Sequence, residues 1–308
     1  MMQRILAIGL NPVLQKSLVF ERFQPGSVNR AAERYLTAGG KGIHYAMAAN
    51  RIVPGCATVA HFLGGEAGRD VAARLAAAGT PELSIDCAGE TRMCTTVLCR
   101  ATGTMTELIE PSPMIAAAEA AAMREAIFAR LAEFAGIGLC GTFPPGVGGD
   151  LYAEVTRRKG RAVVMLDGYK GVDETLATGA VDVLKINLDE LRELTGETDM
   201  RVAADRCRET YGIGTLALTD GPARAFLVNS DGAWGLDLPR LETVVNPIGA
   251  GDTVGAVTLC RLLQGVPAVE AFADGLAAAS ASCMHIQGAQ FELPDMERLR
   301  AGIRIGAL

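Results

Sequence analysis

The stretch Asn246-Pro247-Ile248-Gly249-Ala250-Gly251-Asp252-Thr253-Val254-Gly255-Ala256 opens a long apolar run late in the chain and has the shape of an anion site. Gly249 and Gly251 remove side chains that would hold backbone N–H groups away from a ligand. Val254 to Leu263 reads as a buried helix, and a helix N-terminus carries partial positive charge. Asp252 stands at that mouth. A carboxylate beside free amides can take a proton from a hydroxyl while the amides hold the charge of a transferring phosphoryl group. The same residue could simply cap the helix, so the stretch has to be weighed with the rest of the chain.

Working outward, the 308 residues are 49% hydrophobic, enough for one large core, and disorder is excluded as a class. The formal net charge is -6 and no basic run exceeds Arg157-Arg158-Lys159, which argues against a nucleic-acid partner and for small-molecule chemistry. The 8 cysteines are scattered through apolar stretches without a Cys-x-x-Cys pair, the pattern of buried thiols in a reducing cytoplasm. The first ten residues lack the apolar core of a signal peptide, and no later window approaches a membrane span. A soluble, cytoplasmic protein with no membrane partner is expected.

Along the chain, Gln3 to Leu10 reads as a buried strand stopped by Asn11-Pro12. Lys16 to Phe20 and Val28 to Tyr35, around a Pro25-Gly26 turn, read as strands of a small, partly exposed sheet. After a helix over Ile43 to Ile52, apolar strands alternate with amphipathic helices: a strand at Ala57 to Leu63, then a helix at Ala67 to Ala78. A hairpin, Met93 to Cys99 with Met105 to Ile109, interrupts the rhythm and should join the earlier loose strands. Beyond the helix at Ala116 to Phe134, strands at Ile137 to Cys140, Ala162 to Leu166, Val181 to Ile186 and Thr215 to Leu218 alternate with helices at Leu151 to Arg158, Asp189 to Leu194 and Val202 to Tyr211. Such alternation predicts βαβ units on a parallel sheet. A hairpin, Ala223 to Val228 with Ala233 to Leu238, precedes the opening stretch, and Pro267 to Met284 reads as the last long helix. The fold class is α/β in one domain, with a lid sheet built from insertions at about 11–37 and 90–110, over the carboxyl ends of the parallel strands where open sheets bind ligands.

Four more turns fall where such a site needs them. Ala38-Gly39-Gly40-Lys41-Gly42 is either a tight strand-to-helix turn or a place where ligand hydroxyls touch backbone. Gly141-Thr142-Phe143-Pro144-Pro145-Gly146 is a rigid loop that leaves Thr142 free to bond. Lys185-Ile186-Asn187-Leu188-Asp189-Glu190 puts a cation, an amide and an acid at a strand-to-helix junction, which also has the form of a capping box. Thr219-Asp220-Gly221 closes the next strand.

In this order and spacing the motifs resemble those of the PfkB carbohydrate kinases, within the ribokinase-like fold, over nearly the whole chain. Asn246 to Val257 is similar to the C-terminal signature, Ala38 to Ala48 to the N-terminal Gly-Gly-Lys-Gly signature, and Lys185-x-Asn187-x-x-Glu190 to the metal and phosphate motif. Leu10-Asn11-Pro12, the Thr142 loop and Asn246-Pro247 resemble most the subgroup of sugar-phosphate kinases such as 1-phosphofructokinase and tagatose-6-phosphate kinase.

That resemblance implies a three-layer α/β/α kinase using ATP and Mg²⁺. Asp252 would be the base, and Gly249, Ala250 and Gly251 the amides of an anion hole. Asn187 and Glu190 would place Mg²⁺ through water, with Lys185 near the ATP phosphates. Thr219 and Gly221 would lie along the nucleotide, and the segment from Ala277 to Met284, with Ser280, beside the adenine. Gly39, Gly40 and Lys41 would contact sugar hydroxyls, and Arg92 with Thr142 a substrate phosphate, to which a guanidinium fork donates two hydrogen bonds. Lid strands of this family pair between subunits, so a homodimer is expected.

Two departures bear on the substrate. Gln15 stands where the family has an acid, and His44 where it has an asparagine, both at positions that touch substrate hydroxyls. A neutral amide offers one donor face and one acceptor face, so the sugar recognised can differ. His44 can donate to an oxygen, bear charge near a phosphate, or pack as a helix residue. The alternatives are therefore a kinase of a non-phosphorylated sugar or nucleoside and, in another class, a non-catalytic nucleotide- or sugar-binding regulator.

Overall fold

The computed structural model describes residues 3–308. The chain runs β1 (Ile5–Ile8), β2 (Val13–Phe20), β3 (Glu33–Gly39), α1 (Lys41–Ile52), β4 (Ala57–Leu63), α2 (Gly65–Ala77) and β5 (Glu82–Asp86). The hairpin β6 (Met93–Cys99) and β7 (Thr104–Ile109) follows, then α3 (Ala117–Arg130), β8 (Gly136–Cys140), α4 (Asp150–Arg157), β9 (Val163–Asp167) and the single turn α5 (Asp173–Leu176). Next come β10 (Val183–Asn187), α6 (Leu188–Thr195), α7 (Met200–Tyr211), β11 (Thr215–Asp220), β12 (Arg224–Asn229) and β13 (Gly232–Asp237). The chain closes with α8 (Ala250–Leu263), α9 (Ala268–Ser282), α10 (Leu293–Ala301) and β14 (Arg304–Ala307).

Successive side chains of a strand point to opposite faces, and this one property divides the interior. In β1, Ile5 and Ala7 enter a core shared with α1, α8, α9 and α10, whereas Leu6 and Ile8 enter a second core against α3, α4 and α7. The strands that lie between these two layers have to be apolar on both sides, which is why their runs are continuous rather than alternating. The sheet has 10 strands in the order β14-β13-β12-β11-β10-β9-β8-β1-β4-β5. Neighbours are parallel from β5 to β11 and antiparallel from β11 to β14. From β1 the chain first builds outward through β4 and β5, then returns to β8 on the other side of β1, so the strand order reverses beside β1. A separate 4-stranded sheet, order β3-β2-β6-β7, joins the two insertions, as the hairpin was expected to do.

Several expectations need correction. The segment Val28 to Tyr35 is not a strand: β3 starts at Glu33 and runs on to Gly39, so Ala38-Gly39 ends a strand and only Gly40 turns. Asn29 is the cause, because its side chain accepts from Gln24 N–H and donates to the Gln24 and Ser27 carbonyls, closing a loop in place of a ladder. Helix α8 begins at Ala250 rather than Val254, which puts Asp252 inside its first turn. α9 is the last long helix but does not end the core, since α10 packs into that core and β14 adds an edge strand. β5 and α5 carry too few residues for a legible period. All 8 cysteines are free, and no described helix is long and apolar enough to cross a membrane.

Candidate active site

Where strand order reverses in an open parallel sheet, the connections leave in opposite directions and open a crevice at the carboxyl ends. That crevice is present beside β1. A cavity of about 280 Å³ is bounded by Gly9 and Asn11 after β1, by Cys140 to Thr142 after β8, by the start of α1 and α8, and by the small sheet. Tyr152 braces its rim from beneath, donating its hydroxyl to Ile8 O at 2.8 Å and Cys140 O at 3.0 Å. Two glycines let α1 reach it: a Cβ on Gly9 would sit 2.4 Å from Gly42 Cα, and Gly40 turns with φ 105° against Pro12.

Asp252 sits in the first turn of α8, whose N-cap is Gly249 at φ 78°. It does not cap the helix. Its Oδ2 lies 3.1 Å from His44 Nδ1, with both side chains buried. Burial pushes the carboxyl up, but the hydrogen bond and charge of His44, with Lys41 and Lys185, outweigh it and hold Asp252 below the usual carboxylate range. Asn246 anchors the preceding turn by donating to Ile286 O at 2.9 Å and accepting from Ile248 N–H at 3.1 Å. The Ala250 N–H is taken by Pro247 O, which corrects its expected place among the anion-binding amides. The N–H groups of Gly249, Gly251 and Asp252 find no partner among the described residues.

Opposite this turn, Asp167 at the end of β9 holds two lysines. Lys185 Nζ lies 3.3 and 3.4 Å from its carboxylate oxygens and Lys41 Nζ 3.5 Å from one of them. The charge of Asp167 raises the Lys41 ammonium above its ordinary value despite partial burial, so the cation is permanent. Lys185 also abuts the anion turn, since a Cβ on Gly251 would lie 2.9 Å from its Nζ. Cys140 borders the same space, but burial and then the Asp167 and Asp252 charges push its thiol up, which leaves a neutral, unreactive group.

The small sheet supplies the far wall. Arg92 donates from Nη2 to Asn11 O at 3.2 Å, while its buried Nε has no partner among the described residues. Burial lowers its pKa, the sign of a guanidinium without a local anion. Asn11 also donates to Thr142 Oγ1 at 3.2 Å and accepts from Ser112 Oγ at 2.9 Å. Gln15 is buried and spends its amide N–H on Thr96 Oγ1 at 2.6 Å. Gly39 stands behind it, where a Cβ would meet Gln15 Cβ at 3.0 Å.

The structure thus brings Gln15, Gly40, Lys41, His44, Arg92, Thr142, Gly249 and Asp252 to one cavity. Asn187, Glu190, Thr219, Gly221 and Ser280 do not line it. Asn187 ends β10 in register with Thr219 on β11, so this group follows the strand ends on from Lys185. Asn187 and Glu190 form a complete capping box at 2.8 Å in both directions, using Glu190 Oε2. Gly221 turns at φ 65° after β11, and Ser280 is half-buried on α9.

The model of the pfkB family of carbohydrate kinases matches residues 2–296. The chain belongs to that family. It is 32% identical over 262 residues to the 1-phosphofructokinase of Rhodobacter capsulatus, covering 82% of each chain. It is 27% identical over 262 residues to the tagatose-6-phosphate kinase of Staphylococcus epidermidis, covering 82% of this chain and 83% of that one. Among solved structures, phosphofructokinase-2 from Escherichia coli superposes with a TM-score of 0.88 at 22% identity, covering 97% of this chain and 98% of that one. The architecture is the ribokinase-like one expected, and the protein is a phosphotransferase acting on a carbohydrate.

Two residues of this pfkB kinase escaped the sequence. Asp167 carries no motif: it is an acid after an apolar strand, and only its place beside β8 and β10 puts it between two lysines. Glu107, on β7, also borders the cavity, where it accepts a weak bond from Cys94 Sγ at 3.6 Å. Its strand is exposed throughout, so nothing in the pattern separates it from a surface acid.

Proposed function

We propose that this kinase transfers the γ-phosphoryl group of ATP to a hydroxyl of a sugar phosphate, as the names of its relatives, 1-phosphofructokinase and tagatose-6-phosphate kinase, suggest. The observation that carries the sugar-phosphate reading is Arg92, a guanidinium on the cavity wall whose buried Nε has no partner, and which forms no ion pair with a carboxylate, among the described residues. A phosphate supplies the missing charge and acceptors.

In this reading Asp252 takes the proton of the acceptor hydroxyl, and its depressed pKa keeps it ionised at neutral pH. The free N–H groups of Gly249, Gly251 and Asp252, at the positive end of α8, hold negative charge on the transferring group. Lys41 and Lys185 add two cations, and Asp167 keeps both in place. Gly39, Gly40, Gln15 and Thr142 contact the sugar. Thr219, Gly221 and Ser280 line the nucleotide's path.

Mg²⁺ is a hard ion that keeps much of its water and is held by one or two carboxylates with substrate phosphates. Glu190 fits, because Asn187 N–H occupies only its Oε2. Asn187 and Glu190 would hold the ion through water, and it would neutralise charge on the phosphates. We also infer a homodimer through the small sheet, a lid in this reading. Its edge strand β7 leaves Leu108 and Ile109 58% and 57% exposed. Sedimentation as a monomer at micromolar concentration would refute that. The eight thiols, seven of them buried, support a reducing cytoplasm, and fewer than eight titratable thiols in the fresh, denatured protein would count against it.

The test is turnover with Mg-ATP on fructose 1-phosphate, tagatose 6-phosphate, fructose 6-phosphate and the free sugars. Phosphorylated acceptors should lead, and Arg92→Gln should raise their KM at least about 10-fold, the worth of one charge-assisted contact. A preference for free sugars or nucleosides, which the neutral Gln15 would permit, overturns the reading. Near-normal turnover in Asp252→Asn would overturn the assignment of the base.

A further inference from the structure

The imidazole of His44 is held on three sides. Its Nδ1 faces Asp252 Oδ2 at 3.1 Å. A Cβ on Gly249 would come within 3.0 Å of that same nitrogen, and one on Gly288 within 3.2 Å of Nε2. The ring therefore lies between the anion turn and the 286–289 segment, itself fixed by Asn246 and by Ala289 at φ 58°. A carboxylate only accepts hydrogen bonds, so the shared proton sits on Nδ1 and His44 is the donor. Two glycines shaped around one buried ring, 6% exposed, describe a built contact rather than a surface side chain.

We propose that His44 is a positioning residue for Asp252: by donating from Nδ1 to Oδ2 it orients the carboxylate so that Oδ1 is left to face the acceptor hydroxyl. This rests on the reading of Asp252 as base. In the step it serves, Asp252 takes the hydroxyl proton and the hydroxyl oxygen forms the new bond to phosphorus. The bond from phosphorus to the ADP oxygen breaks, and ADP leaves. A carboxylate free to rotate offers either oxygen in a range of directions, whereas one tethered at Oδ2 offers the other in a single direction, and alignment of this kind lowers the barrier. The tether also favours the ionised carboxylate over the protonated one. The charges around the ring are Asp252 on α8, Lys41 on its own helix, Lys185 behind Gly251, and Arg92 and Glu107 across the cavity, with Cys140 neutral. The 286–289 segment brings no titratable group.

The experiment compares His44→Leu, which fills the space without a donor, with His44→Asn, whose amide nitrogen can occupy the place of Nδ1. His44→Ala, which only removes atoms, replaces His44→Leu if that variant does not fold. Turnover should fall about 10- to 100-fold in His44→Leu, the range of a hydrogen bond to a charged group, with little change in either KM. The acid limb of the kcat profile should move to higher pH, and His44→Asn should restore both. A raised sugar KM with kcat preserved would make His44 a substrate contact and overturn the proposal. So would an unmoved pH profile, or His44→Asn no better than His44→Leu. Asp252→Asn, run in parallel, separates the two failures: if it retains turnover the base is wrong, and if it is inactive while His44→Leu is normal, only the positioning role falls.

Discussion

Replacing Asp167 with asparagine removes one charge from beneath two. Lys185 Nζ lies 3.3 and 3.4 Å from the Asp167 oxygens with a side chain 9% exposed, and Lys41 Nζ lies 3.5 Å away with a side chain 48% exposed. Breaking a buried ion pair by removing one partner costs about 3–5 kcal/mol, because the remaining charge stays desolvated. The Lys41 contact adds little, since a half-exposed ammonium is screened by water. The amide oxygen still accepts one hydrogen bond, so we expect the low end, about 3 kcal/mol, or roughly a 100-fold change in the unfolding equilibrium. Urea unfolding followed through Trp234, the only tryptophan, measures it directly. A second effect has the opposite sign. Two ammonium groups without their carboxylate make a stronger anion site, so inorganic phosphate should raise the melting temperature of Asp167→Asn more than that of the parent. A loss under about 1 kcal/mol with no added response to phosphate would refute the role given to this carboxylate.

Gly249→Ala forces a side chain into φ 78° and into contact with His44 and Ala289 at 3.0 and 3.1 Å. It should cost about 1–3 kcal/mol of stability and at least about 10-fold in turnover, which unfolding and steady-state kinetics can check. The pH dependence of stability follows from Asp252. Its folded pKa is depressed, so its ionised form supports the fold above the unfolded value near 3.8 and that support is lost as pH falls through the lower folded value. The stability difference between the parent and Asp252→Asn should therefore shrink as pH falls below about 4; the opposite slope would contradict the sign.

How much of this was legible depended on whether the signal was local. Gly249, Gly251 and Asp252 sit within four positions, and glycine spacing beside an acid reads directly as a turn with free amides. The capping box at Asn187 and Glu190 was equally visible, and it formed as written. Asp167 was not legible, because a single acid after an apolar run has no partner until β8 and β10 are laid beside β9. Glu107 was hidden for a different reason: its neighbours on β7 are all exposed, and only the pairing of β6 with β2 turns one face of that hairpin to the cavity. The misplaced strand near Val28 shows the limit from the other side, since the Asn29 side chain competed with a ladder for the same backbone groups.

By itself the sequence determined the alternation of strand and helix, the family, and the chemistry to look for around Asp252, because periodicity and short-range glycine patterns are properties of neighbours along the chain. Tertiary structure alone decided what Asp252 touches. His44 is 208 positions away, and Lys41 and Lys185 meet only through Asp167. Electrostatic partners are set by distance in space. Where strand order reverses beside β1, the fold carries residues from the beginning, middle and end of the chain to one crevice.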